Sequence, residues 1–144
     1  MFPFAIIYDA VTLFRNYFFE LGLFKSYQIP VFSISVGNLS VGGTGKTPFI
    51  SYLIQNLEFE NIVVLSRGYG RKTHGYLEVD SSSTPCTVGD EVIMLFEKHK
   101  ARAKFFVSEN RKIGILKILE KYPETEVILL DDAFQHRWVK PTLS

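Results

Sequence analysis

Three glycines precede a lysine and a threonine in Gly42-Gly43-Thr44-Gly45-Lys46-Thr47. Residues of these types in this order do one kind of chemistry well, which is gripping phosphate. Glycine backbone lets N–H groups turn inward and approach phosphate oxygens. A helix starting at the lysine points its positive end at the same charge. Lys46 would reach the β- and γ-phosphates of ATP or GTP, and the Thr47 hydroxyl would ligate Mg²⁺. The full pattern is G-x-x-x-x-G-K-[ST], and here its first position is Ser40. The inner glycines, where the backbone comes closest, are all present. Pro48 falls just inside the helix, where a missing N–H costs little. The competing reading is a glycine-rich turn with no ligand, and the flanking strand and helix weigh against it.

A second constellation lies downstream. Val127-Ile128-Leu129-Leu130 ends in Asp131-Asp132. An apolar strand that delivers a carboxylate at its C-terminal end is how a P-loop protein holds Mg²⁺, directly or through water. A pair of acids after a strand also suits a solvated turn. The phosphate loop upstream favours the metal reading, although spacing does not say which of Asp131 and Asp132 meets the metal.

These residues need elements to hold them. Val31–Val36 reads as a buried strand leading into the phosphate loop, and a helix follows from Lys46 to Leu57. Asn61–Leu65 is a second strand, Tyr76–Val79 a short one, and Ser81–Val88 a Ser/Thr/Pro loop. Asp90–Lys100 and Glu109–Tyr122 read as helices, with strands at Lys104–Val107 and Glu126–Leu130. Strands alternating with helices predict an α/β fold, a P-loop NTPase-like parallel sheet with crossover helices. The sheet reads as unfinished, an incomplete domain of a longer protein. Such a sheet is expected to expose an open edge and apolar surface, and so to be poorly soluble alone.

Two regions are expected, 1–27 and the nucleotide-binding domain 28–144. In the first, Phe4, Ile7, Tyr8, Val11, Phe14, Phe18 and Leu21 follow helical spacing, with Asp9, Arg15 and Glu20 between them. Three charges argue against a membrane span, because each costs about 2.5–3.5 kcal/mol at the centre of a bilayer. An amphipathic helix remains, packed on the core, laid on a membrane surface or joined to a partner helix. The segment has neither a basic leader nor a small-residue cleavage site, so it is not read as a signal peptide.

Composition narrows the classes. The 144 residues are 47% hydrophobic and 22% charged, the balance of a folded globular chain. A formal net charge of +1 argues against a nucleic-acid partner held by bulk charge. The single cysteine, Cys86, admits neither an internal disulfide nor a cysteine metal cluster, and fits a reducing cytoplasm.

Four stretches together resemble the tetraacyldisaccharide 4′-kinase (lipid A 4′-kinase) family. They are Val36–Pro48, Leu65–Arg71, Val88-Gly89-Asp90-Glu91 and Asp131-Asp132-Ala133-Phe134-Gln135-His136. They run in the family's order, and Ser40 belongs to the family's own loop. The last motif usually reads Asp-Asp-Gly-Leu-Gln-His, so Ala133-Phe134 is a departure that leaves both acids, the Gln and the His in place. The resemblance implies transfer of the γ-phosphoryl group of ATP, with Mg²⁺, to the 4′-hydroxyl of the lipid tetraacyldisaccharide 1-phosphate, giving the lipid A precursor. It also implies peripheral association of the N-terminal helix with the cytoplasmic face of the bacterial inner membrane. Asp90 matches the family's catalytic acid, assisted there by a histidine in a C-terminal half that this chain does not include. At a helix start, Asp90 also favours the helix dipole. Gln135 and His136 would flank the metal site, His136 as a catalytic group, or serve as loop hydrogen-bonding residues. Arg67, Arg71 and Lys72 form a basic loop that would meet nucleotide phosphates or the acceptor's 1-phosphate, or simply be solvated. Arg111 begins a helix, a misplacement for a cation that points to a partner anion. His74 and His99 are expected on the surface. The alternative from another class is a P-loop switch or assembly protein without small-molecule kinase activity.

Overall fold

The computed structural model describes residues 27–37, 46–131 and 139–143. The expected amphipathic helix over 1–27 falls almost wholly outside the described residues. So do Gly42, Gly43, Thr44 and Gly45 of the phosphate loop, and Asp132, Gln135 and His136.

Five strands form the main sheet: β2 (Phe32–Val36), β3 (Ile62–Ser66), β4 (Leu77–Glu78), β5 (Ala103–Val107) and β6 (Val127–Asp131). Their order is β2-β6-β3-β5-β4. The first four are parallel, as expected, and β4 joins the edge antiparallel to β5. The helices are α1 (Lys46–Asn56), α2 (Pro85–Val88), α3 (Asp90–His99) and α4 (Arg111–Lys121).

Both faces of the sheet are covered, and the strand residues show it by alternating between two apolar clusters. Ile62, Val64, Phe105, Val107, Val127 and Leu129 pack with Ile50 and Ile54 of α1 and Val92, Leu95 and Phe96 of α3. Val63, Leu65, Phe106, Ile128 and Leu130 pack with Ile115 and Ile118 of α4. Helices α1 and α3 therefore share one face, and α4 lies on the other. Gly114 of α4 sits so close to Leu65 that an added Cβ would lie 3.1 Å from its side chain.

Two features differ from the sequence reading. The Ser81–Val88 loop contains α2, because Pro85 is preset for a first helical position and the Thr84 N–H donates to Thr87 Oγ1 at 2.8 Å. A small separate sheet pairs β1 (Tyr27–Gln28) in parallel with β7 (Val139–Lys140), two strands too short to signal in sequence. The outer edge of β2 is met by Leu143, with the Ser35 N–H donating to its carbonyl at 2.8 Å and its N–H donating to the Ser33 carbonyl at 2.9 Å. The β2 edge is therefore engaged by the chain itself, where the sequence led us to expect it open.

Candidate active site

Parallel strands present their C-terminal ends to one rim of the sheet, where α/β proteins bind ligands. Val36 and Asp131 are paired at the ends of β2 and β6, and Ser66 ends β3 beside them. Lys46 and Thr47 open α1, and Asp90 and Glu91 open α3, on the sheet face shared by those helices.

Asp131 is buried, with 5% of its surface exposed. The Ser66 hydroxyl donates to its Oδ2 at 2.9 Å. Burial pushes the carboxyl above its ordinary value, against the Ser66 hydrogen bond and the Arg111 charge. The Glu91 charge pushes it the same way as burial, and the Lys46 charge opposes it. Asp131 thus lies within electrostatic reach of Lys46 and Glu91, which come from two other elements. The Thr47 hydroxyl donates to Glu91 Oε2 at 3.3 Å, joining the first turns of α1 and α3. Thr47 and Asp131 offer a hydroxyl and a carboxylate, hard oxygen donors of the kind that Mg²⁺ takes beside substrate phosphates. A buried carboxylate close to a second acid is also an arrangement that a divalent cation would relieve.

Arg111 is 2% exposed. It donates from Nη1 to the Ser108 carbonyl at 2.7 Å and from Nη2 to the Asp131 carbonyl at 2.5 Å. The guanidinium thus reaches the end of β6 through a backbone oxygen, and its charge opposes the burial that raises the Asp131 carboxyl. Asn110 caps the same helix, accepting from the Ile113 N–H at 3.1 Å.

The basic loop divides. Arg67 is exposed at the rim, beyond Ser66. Arg71 has a side chain only 2% exposed and pairs with Glu109 Oε1 at 2.5 Å, also donating to the Gly75 carbonyl at 2.6 Å. It clamps its own loop and is not presented to a phosphate. Two left-handed glycines seat that loop against the start of α3. A Cβ on Gly68 (φ +72°) would lie 2.9 Å from the Val88 carbonyl, and one on Gly89 (φ +96°) would lie 2.7 Å from the Tyr69 carbonyl. The Arg67–Arg71 loop and the Val88–Glu91 turn are thereby packed backbone to backbone, which fixes Asp90, an exposed residue, beside the rim.

His74 is exposed, as expected, 3.8 Å from Glu109. His99 is not on the surface. It is buried in the last turn of α3, with Nε2 2.7 Å from the Ser51 hydroxyl. An imidazole carries enough apolar ring to be buried once its nitrogen finds a partner.

Comparison with known proteins agrees with this geometry. Residues 1–144 match the sequence profile of the family described as Tetraacyldisaccharide-1-P 4'-kinase. The chain belongs to that family. Its relatives include a tetraacyldisaccharide 4'-kinase of Flavobacterium psychrophilum, 48% identical over 97% of this chain and 41% of the relative. One of Bacteroides thetaiotaomicron is 47% identical over 100% of this chain and 38% of the relative. Among solved structures, LpxK from Aquifex aeolicus, crystallised in complex with ATP, superposes with a TM-score of 0.85 at 40% identity, covering 96% of this chain and 45% of that one. The chain spans about two fifths of the length of the curated relatives it matches.

The family match confirms the resemblance drawn from four short motifs. Glu91 and Ser66 carry no role in the sequence reading, yet both stand at the centre of the site. Glu91 lay inside a quoted motif, and its position in the first turn after Gly89 was the available signal.

Proposed function

We propose that this chain carries the nucleotide-binding and phosphate-transferring part of a kinase that moves the γ-phosphoryl group of ATP to the 4′-hydroxyl of tetraacyldisaccharide 1-phosphate, giving the lipid A precursor lipid IVA. The observation that carries the proposal is the convergence of Lys46, Thr47, Glu91 and Asp131 at one rim of the sheet. The relative crystallised with ATP supports ATP as the donor.

The roles follow from the geometry and the family motifs. Gly42, Gly43, Thr44 and Gly45 would wrap the phosphates, and Lys46 would balance charge on the β- and γ-phosphates. Thr47 and Asp131, with Asp132, would hold Mg²⁺, which when bound neutralises charge on the phosphate oxygens. Arg111 and Ser66 fix the Asp131 backbone and carboxylate. Asp90 would accept the proton of the acceptor hydroxyl as it attacks phosphorus, with His136 as a second catalytic group. Arg67 would meet a phosphate of the nucleotide or of the acceptor.

Among the described residues, no helix is long and apolar enough to cross a membrane. Attachment to the cytoplasmic face of the inner membrane is proposed through the aromatic-rich residues 1–27, because the acceptor is a lipid.

The test is transfer of radiolabelled γ-phosphate from ATP to tetraacyldisaccharide 1-phosphate in detergent micelles. This chain is compared with a longer chain that adds the family's remaining portion, each with its Lys46→Ala variant. Labelled lipid is expected from the longer chain, with Lys46→Ala lowering turnover by about 10²–10³-fold, the effect of removing one preorganised charge donor. ATP binding without labelled lipid from either chain would contradict the kinase reading and favour a nucleotide-dependent switch.

A further inference from the structure

Two helices carry the candidate site. Lys46 and Thr47 lie in the first turn of α1, and Asp90 and Glu91 in the first turn of α3. In-line phosphoryl transfer needs these turns at a fixed separation, because a displacement of about 1 Å at a reacting group costs about 10²-fold in rate. The contact between Thr47 and Glu91 lies at the site itself, and a Thr47 hydroxyl turned toward a metal would no longer hold it. The Gly68–Gly89 packing seats the start of α3 on the Arg67–Arg71 loop, and a contact between α1 and α3 themselves is needed to hold the two helices in register.

The interface behind the site is otherwise apolar, formed by Ile50, Ile54, Val92, Leu95 and Phe96. Interdigitated apolar side chains resist sliding by shape alone, and they add no bond of defined length and direction. One buried polar contact crosses it, between Ser51 Oγ and His99 Nε2 at 2.7 Å. Ser51 is 6% exposed and His99 5% exposed. Ser51 follows Thr47 by four residues, so both project from one side of α1. His99 lies two turns beyond Glu91 on α3. A hydrogen bond in a dry interface has a required length and direction, and breaking it strands a buried polar group. Burial, with help from the Lys98 charge, pushes the His99 imidazole below its ordinary value. Both effects favour the neutral ring, which has one nitrogen to accept and one to donate.

We propose that the Ser51–His99 hydrogen bond sets the register of α3 against the phosphate-loop helix, making Ser51 and His99 positioning residues for Asp90 and Glu91. Neither residue belongs to the motifs that identify the nucleotide site. The inference rests on the kinase reading for its catalytic consequence but not for the positioning itself.

The test uses the longer chain of the transfer assay with Ser51→Ala, His99→Leu, the double variant and His99→Gln. Three quantities are read: turnover, ATP affinity and amide hydrogen exchange across Gly89–Val92. Ser51→Ala and His99→Leu are expected to lower kcat by about tenfold while ATP affinity changes by less than about twofold, the signature of lost transition-state geometry. Exchange at Gly89–Val92 is expected to quicken in both. His99→Gln keeps a polar group within reach of Ser51 and should recover kcat to within about threefold of the parent. The double variant should lose no more than the worse single variant, as two halves of one contact do.

A lowered melting temperature with parental kcat and exchange would overturn the proposal, leaving the pair a purely structural contact. Weakened ATP binding with intact kcat would overturn it equally. If His99→Leu fails to fold, Ser51→Ala and His99→Gln carry the same comparison. If the parent phosphorylates no lipid, the kinase reading fails and exchange alone decides: faster exchange at Gly89–Val92 supports the positioning role, and unchanged exchange refutes it.

Discussion

Asp131 is held at a buried strand end with Glu91 as a nearby like charge, and only in part compensated by Ser66, Arg111 and Lys46. An ionised carboxylate so placed is unfavourable unless a cation completes its surroundings. Asp131→Asn should therefore make the metal-free protein more stable, by about 2–4 °C in melting temperature if the relief is worth about 1 kcal/mol. The same variant should lose the gain in stability that Mg²⁺ and ATP together give the parent. Thermal melts with and without Mg·ATP check both halves, and a variant less stable than the parent without ligand would contradict the account. At this scale the sequence was most informative where a motif carries its own geometry, as at Lys46, Thr47 and Asp131. It was silent where partners meet across the fold. Thr47 and Glu91 are 44 positions apart, Ser51 and His99 48, and Ser66 and Asp131 65. No local pattern announces such pairs, which is why His99 read as a surface residue and Arg71 as part of a loop that meets phosphates or is solvated.

The elements were legible for a related reason. Runs such as Ile62–Ser66 and Val127–Asp131 are buried at every position, as strands covered on both faces must be, and the helices between them have ordinary lengths. Strand order was not legible, because β6 inserts between β2 and β3 although it comes last of the three in sequence. That insertion brings the acid of β6 beside the end of β2, where Val36 pairs with Asp131. Helix α2 went unread because four residues give no periodicity. A tight junction between elements lies at Gly89, where positive φ and the Tyr69 carbonyl leave no room for a side chain. Gly89→Ala is expected to cost about 1–3 kcal/mol in stability through backbone strain. It should also shift the first turn of α3, so turnover should fall well beyond the loss in ATP affinity. Denaturant melts and steady-state kinetics on the longer chain measure both, and parental turnover in the variant would show that Asp90 does not depend on this turn.

The described residues form a doubly covered sheet whose candidate nucleotide rim is assembled from β2, β3, β6 and the starts of α1 and α3. Both free edges are small targets for another strand: β4 has two residues, and β2 is engaged by Leu143. The match to the Flavobacterium psychrophilum relative covers 97% of this chain and 41% of the relative. The central claim is that this portion by itself holds Mg·ATP through the phosphate loop. Isothermal titration of the 144-residue chain with ATP, with and without Mg²⁺, tests it most directly in the parent and the Lys46→Ala variant. The account predicts one saturable site that tightens with Mg²⁺ and weakens by about 10–100-fold in Lys46→Ala, the worth of a charged hydrogen bond to phosphate. Absent binding, or binding indifferent to both Mg²⁺ and Lys46, would contradict it.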